Sequence, residues 1–314
     1  MEHLWKQNLR QIEPYVPGEQ SSDPDRIKLN ANENPYPPAP GVEAVLRSYD
    51  PAALCLYPDA NARLLKASIA RHYGVAPEQV FVGNGSDDVL ALAFQSFFNS
   101  DKPIAFPDIT YSFYPVWCRL FHIPFVTYPL TADFRMDPAD YAAPNGGVVL
   151  PNPNAPTSIG EDLPFVQALL EGNRDAVVII DEAYADFGGV SAVPLLADYP
   201  NLLVCGTFSK SRSLAGLRLG FALGSAELIS VLEAVKNSYN SYTVDNLSLL
   251  CGAAGHPLQR VAARAPRHQP RALHAAADHG RDRRRPAQHA PHRRAVCCRR
   301  HRVLRAPPRA VSLP

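Results

Sequence analysis

Six short apolar runs, none alternating with polar residues, constrain this chain more than anything else in it. They are Ile104 to Phe106, Phe125 to Tyr128, Val148 to Leu150, Val177 to Ile180, Leu202 to Cys205 and Leu219 to Leu223. A strand with one wet face alternates apolar and polar side chains, so a run that does not alternate is buried on both faces. Helical or loop segments separate most of these runs. The expected fold is therefore α/β, with a mostly parallel central sheet between helices. Polar residues follow several runs directly, and ligands of open α/β sheets sit at such strand ends.

Local signals fill in the rest. From Ala60 the pattern turns helical: Leu64, Leu65, Ile69 and Tyr73 fall on one face and Gly74 stops the helix. Val80 to Val82 reads as a short strand and Gly83-Asn84-Gly85 as a tight turn. Ser86 reads as the N-cap of a helix from Asp87 to Phe98. Another helix is expected over Leu228 to Ser238. The stretch to about Ile27 carries Pro14, Pro17 and Pro24 and reads as an arm. A Pro-rich loop then runs from Lys28 through Pro40.

At 314 residues the chain has room for one large domain and a smaller one. The N-terminus has no basic region followed by an apolar core, so no secretory signal is expected. No stretch approaches the ~20 apolar residues of a membrane-spanning helix. The six cysteines are irregularly spaced and include no C-x-x-C pair, so no metal site is expected. Cys55, Cys118 and Cys205 sit among apolar residues and are expected to be buried thiols. A cytoplasmic location follows.

The net charge of +1 conceals a break in composition. Residues 255–314 hold fifteen Arg, no Lys and two acids, Asp278 and Asp282, which leaves residues 1–254 with 16 basic and 28 acidic residues, a net of −12. Two such compositions rarely belong to one folded design. The tail is almost wholly Arg, Ala, His and Pro without periodicity, and disorder is expected there. It reads as a GC-rich gene translated in the wrong frame, so a frameshift near Cys251 to Gly255 is expected.

Three places carry chemistry. Val177 to Ile180 runs into Asp181, followed by Glu182-Ala183-Tyr184. A charge at the end of a buried strand is costly unless paired, although many such carboxylates merely cap a helix or loop. Leu202 to Cys205 runs into Gly206-Thr207-Phe208-Ser209-Lys210, with Arg218 eight residues past the lysine. An isolated lysine is ordinarily a solvated surface charge. Here hydroxyls, small residues and two arginines make an anion-binding loop beside it, which suits a phosphorylated aldehyde. Gly85-Ser86-Asp87 stands at a strand-to-helix turn, where backbone N–H groups and a helix N-terminus favour phosphate. Taken alone, that turn is better explained as a plain N-cap, and Asp87 and Asp88, which suit the helix dipole, must point away from any phosphate.

Together these places resemble the fold-type I pyridoxal-phosphate enzymes, over about residues 28–254. Ser209-Lys210 with Ala215-Gly216-Leu217-Arg218-Leu219-Gly220 is similar to the family's cofactor-lysine loop and phosphate-binding arginine. Asp181-Glu182-Ala183-Tyr184 is similar to its ring-nitrogen aspartate and ring-hydroxyl tyrosine. Asn152-Pro153-Asn154-Ala155-Pro156-Thr157 resembles the cofactor loop before them. Within the family, Leu29-Asn30-Ala31-Asn32-Glu33-Asn34-Pro35, Tyr57-Pro58-Asp59, Thr110-Tyr111-Ser112-Phe113-Tyr114 and Pro14-Tyr15 are similar to the histidinol-phosphate aminotransferases.

That resemblance implies pyridoxal 5′-phosphate as cofactor and transamination between histidinol phosphate and 2-oxoglutarate, giving imidazole-acetol phosphate and L-glutamate. It implies catalytic roles for Lys210, Asp181 and Tyr184. Gly85, Ser86, Asp87, Tyr57, Tyr111, Asn154, Thr207, Ser209 and Arg218 would join them around the cofactor, and Asn32 and Tyr15 would face substrate. Tyr57 would reach the cofactor of a neighbouring subunit, which implies a homodimer. The implied domains are an arm contributing to a small domain (1–28), a large cofactor-binding domain (29–240), the start of an interdomain helix (241–254) and an aberrant tail (255–314) that leaves the small domain incomplete.

Two local departures stand out: Ala155 occupies the family's usual Asn position before Pro-Thr, and Ser158 stands where Gly is common. The tail also replaces the segment that supplies an arginine for the substrate carboxylate, so weak or no turnover is expected of the chain as written. Other readings keep the cofactor but change the reaction, to an aromatic aminotransferase or an amino-acid phosphate decarboxylase. A further reading is a non-enzymatic protein whose Arg-rich tail binds nucleic acid. No aromatic residue interleaves those arginines and no binding module accompanies them, which argues against it.

Overall fold

The computed structural model describes residues 3–23, 25–142 and 144–255. The disorder expected of the Arg-rich tail lies outside those residues, apart from Gly255, and the frameshift expected near Cys251 to Gly255 falls at their end.

In chain order the regular elements are α1 (Pro40–Ser48), α2 (Arg63–Tyr73), β1 (Val80–Gly83), α3 (Ser86–Phe97), β2 (Ile104–Pro107), α4 (Tyr114–Phe121) and β3 (Phe125–Tyr128). They continue with β4 (Gly147–Pro151), α5 (Leu163–Glu171), β5 (Val178–Asp181), β6 (Leu202–Thr207), β7 (Gly220–Gly224), α6 (Ala226–Tyr239) and α7 (Asn246–Gly255). The strands form one sheet of order β1-β7-β6-β5-β4-β2-β3. β2, β3, β4, β5 and β6 pair in parallel, and β7 runs antiparallel to both β6 and β1. β1 therefore points the same way as β6, and β7 alone is reversed. All six apolar runs are strands of this sheet, as the lack of alternation predicts.

Each run feeds both faces, because successive side chains of a strand point to opposite sides. Val148, Leu150, Val178, Ile180, Leu202 and Val204 join one apolar cluster with Leu65 and Ile69 of α2, Leu169 of α5 and Leu249 and Cys251 of α7. Val149, Ile179, Leu203 and Cys205 join the other, with Leu90 and Phe94 of α3, Trp117 of α4 and Leu232 of α6. No helix among the described residues is long and apolar enough to cross a membrane.

Several local expectations are corrected. Leu64 is 56% exposed, because the buried face of α2 follows Leu65 and Ile69 at i and i+4, a register that excludes its neighbour. Gly74 does end that helix, in the left-handed conformation. Gly85 rather than Ser86 occupies the N-cap position of α3, and no side chain caps the helix, since the Asp88 carboxylate reaches back to the Asn84 N–H at 2.8 Å. The loop from Lys28 gives way to α1 at Pro40, which suits a first helical turn because that position needs no N–H donor. Cys118 and Cys205 are buried, but Cys55 is exposed. It ends a 3-10 turn, Pro51–Cys55, that buries none of its side chains.

Candidate active site

The sheet brings the chemistry-bearing residues to one edge. Register aligns Pro151 with Asp181, Asp181 with Cys205, Thr207 with Gly220, and Gly220 with Gly83. The loops leaving β1, β2, β4, β5 and β6 and the loop entering β7 therefore converge there, at the carboxyl ends of the like-directed strands.

Asp181 ends β5 and is 5% exposed. Its Oδ2 accepts from the Tyr114 hydroxyl at 2.9 Å and its Oδ1 from the Ala183 N–H at 3.1 Å. Both donors are neutral. Burial pushes its pKa up to about 6, against the pull of these two bonds and of the Lys210 charge, while the Asp87 charge pushes it further up. The adjoining Glu182 is pushed up to about 7, again by burial first, and accepts from the Ala192 N–H at 2.6 Å.

Lys210 stands three residues beyond β6. Thr207, 4% exposed, shapes the turn: its Oγ1 accepts from the Ser209 N–H at 3.1 Å and donates to the Leu219 carbonyl at 3.3 Å. The lysine Nζ donates to the Ala31 carbonyl at 2.8 Å and lies 5.5 Å from the centre of the Tyr184 ring. Asn32 Nδ2 donates to the Tyr184 hydroxyl at 3.0 Å. Asn32, Tyr184 and Lys210 are thus brought together across more than 150 residues of sequence.

The turn after β1 lies against the start of β7. A Cβ on Gly220 would meet the Gly85 carbonyl carbon at 2.3 Å, and one on Gly85 would meet Arg218 Nη2 at 2.5 Å. Glycine at both positions lets an arginine and an uncapped helix N-terminus share one spot, which makes an anion cradle. Asp87 does not point away from it. Its carboxylate lies 3.8 Å from Arg218 Nη2 and accepts from the Tyr111 hydroxyl at 2.7 Å. Burial, then that carboxylate, drive the Tyr111 pKa upward.

Asn154 is buried and fully used: Nδ2 donates to the Ile109 carbonyl and to Thr157 Oγ1, and Oδ1 accepts from Thr110. Asn152 is likewise engaged with the backbone of Glu161. Asn154 cannot replace the amide missing at Ala155 without giving up a bond. Ser158 sits at φ 59°, in the left-handed region, which accounts for glycine being common there. Tyr15 stacks on Phe113 at 4.2 Å, and Phe113 neighbours the Tyr111 ring at 5.5 Å. Tyr57 stands apart: it is 81% exposed and stacks on Tyr242.

Sequence reasoning gave no role to Tyr114 or Asn34, and it counted Arg212 with Arg218 in an anion-binding loop, whereas the structure commits Arg212 to Asp186. Tyr114 bonds Asp181. Asn34 Nδ2 donates to the Lys210 carbonyl at 3.1 Å. Arg212 pairs with Asp186 at 2.5 Å, and Ser211 bonds the same carboxylate, tying the lysine loop to the turn after Tyr184. Tyr114 and Asn34 lie inside the motifs quoted above, so a signal was there; the Asp186–Arg212 pair had none, because its partners are 26 residues apart.

Residues 24–284 match the model of the aminotransferase class I and II family. The chain belongs to that family. Among curated proteins it is 57% identical over 254 residues to histidinol-phosphate aminotransferase 1 of Methylococcus capsulatus, covering 81% of this chain and 71% of that one. It is 55% identical to the histidinol-phosphate aminotransferase of Chromohalobacter salexigens, covering 81% and 72%. Among solved structures it resembles the histidinol-phosphate aminotransferase of Sinorhizobium meliloti in complex with pyridoxal-5′-phosphate, at 25% identity and a TM-score of 0.66, over 74% of this chain and 65% of the other.

Proposed function

We propose that the chain moves an amino group between histidinol phosphate and 2-oxoglutarate, giving imidazole-acetol phosphate and L-glutamate, with pyridoxal 5′-phosphate as cofactor. One observation carries the reading: Asp181 is buried at the strand edge with hydroxyl and amide donors but no cation, beside an amine and an anion cradle. The donor set fits this cofactor. A protonated ring nitrogen supplies the charge that Asp181 lacks, Lys210 supplies an amine for the aldehyde, and the space kept by Gly85 and Gly220 beside Arg218 admits a phosphate. The identity to histidinol-phosphate aminotransferases over 81% of the chain supports the choice of substrate.

When bound, the cofactor supplies a carbonyl that takes the amino group and a ring that accepts the electron pair of the substrate Cα–H bond. Lys210 Nζ would hold the cofactor and, once released by the substrate amine, would carry the proton from the substrate α-carbon to the cofactor. Asp181 favours a proton on the ring nitrogen. The Tyr184 hydroxyl, already accepting from Asn32, would be free to donate to the ring oxygen, and Asn154 would line the same site. Arg218, Ser209, Ser86, the Gly85 backbone and the Thr207 turn hold the phosphate, with Asp87 beside the arginine. Tyr111 would cover a ring face, and Asn32 and Tyr15 would face substrate.

The same reading makes the enzyme a cytoplasmic homodimer, with domain limits at residues 28, 240 and 254. Support for the dimer is the exposure of Leu54, Leu56, Tyr57, Tyr239 and Tyr242, apolar side chains that a neighbouring subunit would cover.

The test is to incubate the full chain with pyridoxal 5′-phosphate, trap with borohydride and locate the adduct by peptide mass. The adduct is expected on Lys210, and histidinol phosphate with 2-oxoglutarate should then yield glutamate faster than phenylalanine does. No adduct on Lys210, or preference for the aromatic amino acid, overturns the reading.

A further inference from the structure

Tyr114 opens α4 and is fully buried. Its ring is held on several sides: Phe106 meets it edge-on at 5.7 Å, Tyr111 edge-on at 5.7 Å, Phe94 stacks at 6.0 Å and Trp117 lies at 6.2 Å. A ring so enclosed has little choice of direction for its hydroxyl. A buried Tyr hydroxyl needs a partner, and neutral carbonyls would satisfy it. This one is aimed at the carboxylate that ends β5, at 2.9 Å. A phenol given to a carboxylate stabilises the ionised form and fixes which oxygen remains available.

From this geometry we infer that Tyr114 is a positioning residue for the reaction: its hydroxyl keeps Asp181 ionised and holds Oδ2, so that the carboxylate meets the cofactor ring nitrogen as an anion in one orientation. The inference rests on the assignment of Asp181 to that nitrogen. No other side chain among the described residues donates to Asp181; its second bond is the backbone Ala183 N–H. The other charged or titratable groups acting on the carboxylate are Asp87 of α3, which disfavours its charge, and Lys210 of the loop after β6, which favours it. Glu182 beside it, Cys205 of β6 and Tyr111 of the loop before α4 also interact with it. Tyr114 is thus what offsets burial from the α4 side. Its ring also packs edge-on against Tyr111.

The experiment uses the full chain and its Tyr114→Phe variant. The Asp181 carboxyl is titrated by difference infrared spectroscopy in the cofactor-free protein, with Asp181→Asn identifying the band. Cofactor affinity is measured from pH 5 to 9. Loss of the hydroxyl should raise the titration midpoint by about one pH unit, a tenfold change in the ionisation equilibrium. The variant's affinity deficit should be near tenfold at low pH and close inside twofold by pH 9. An unmoved midpoint, or a deficit equal at every pH, overturns the inference, because a purely structural role predicts that pattern. Should Tyr114→Phe fail to fold, 3-fluorotyrosine at position 114, a stronger donor, must lower the midpoint, and an unchanged value again overturns it. If Asp181→Asn binds cofactor as tightly as the parent, the assignment of Asp181 fails instead, and the midpoint still reports on Tyr114 alone.

Discussion

Lys236 and Asp181 are almost equally removed from solvent, at 3% and 5% exposure, yet their surroundings are opposite. Lys236 Nζ donates to the Ala60 carbonyl at 2.8 Å and lies 2.9 Å from Glu233 Oε2, close enough to pair although off hydrogen-bonding geometry. The other Glu233 oxygen takes Lys66 at 2.5 Å. This cluster between α2 and α6 settles its charges within the chain and ties the turn before α2 to the far helix. Asp181 has no cation within bonding distance. Charge buried for architecture is neutralised locally; charge buried at the strand edge is left to be completed by what binds there.

Removing a partner should separate the two most sharply. Glu233→Gln leaves two lysines, both largely buried, facing a neutral amide, and should cost about 3–5 kcal/mol of stability, read by denaturant titration. Cofactor affinity per folded molecule should be unchanged. A variant as stable as the parent means that the pairing does not hold α2 to α6.

At the other site the effects should invert. Asp181→Asn removes a buried charge without stranding a cation, so folding stability should hold or rise in the cofactor-free chain. Transition-state stabilisation should fall by about 3–4 kcal/mol, the scale of one lost preorganised electrostatic partner. Single-turnover amino transfer measures the loss, and a variant that is both less stable and equally reactive would falsify the contrast.

The pH dependence follows from the raised carboxyls. The folded chain keeps the Asp181 proton up to about pH 6, whereas the unfolded chain releases it near the ordinary 3.8. Protons therefore bind more tightly to the folded state in that window, and stability should fall as pH rises from about 4 to about 6. A shift of this size corresponds to about 3 kcal/mol. Glu182, raised from 4.5 to about 7, adds loss in the same direction up to that pH. Asp181→Asn should flatten the lower part of the curve, and an unchanged slope below pH 6 would place the burden elsewhere.

How far these sites were legible in sequence depends on how local each one is. The strands were readable because a run buried on both faces needs no partner to declare itself. Lys210, Asp181 and Arg218 sit at the ends of those runs, where strand-end position and the surrounding hydroxyls and glycines drew notice, and the family resemblance gave them roles. The Lys66–Glu233 pair joins residues 167 apart, with nothing unusual around either one. Tyr114 was visible within its motif, but its use depends on α4 turning its first residue beneath β5. Cys55 misled because neighbouring Leu54 and Leu56 suggested burial, while the 3-10 turn leaves them 69% and 67% exposed.

The smallest effect probes the other half of the strand edge, where space rather than charge is kept for a ligand. Gly85 sits at φ 88° and ψ 163°, a region almost reserved for glycine, and a side chain there costs about 1–3 kcal/mol of strain. Its Cβ would also press on Arg218 Nη2, the mobile end of a side chain that is 48% exposed, so the arginine can yield and the fold should survive. What the variant Gly85→Ala loses is the shared spot between Arg218 and the start of α3. Affinity for pyridoxal 5′-phosphate should therefore fall about tenfold, while affinity for pyridoxal, which lacks the phosphate, should barely move. Equal losses for the two would mean that the glycine serves only the backbone turn, and the cradle would have to be sought elsewhere along the edge.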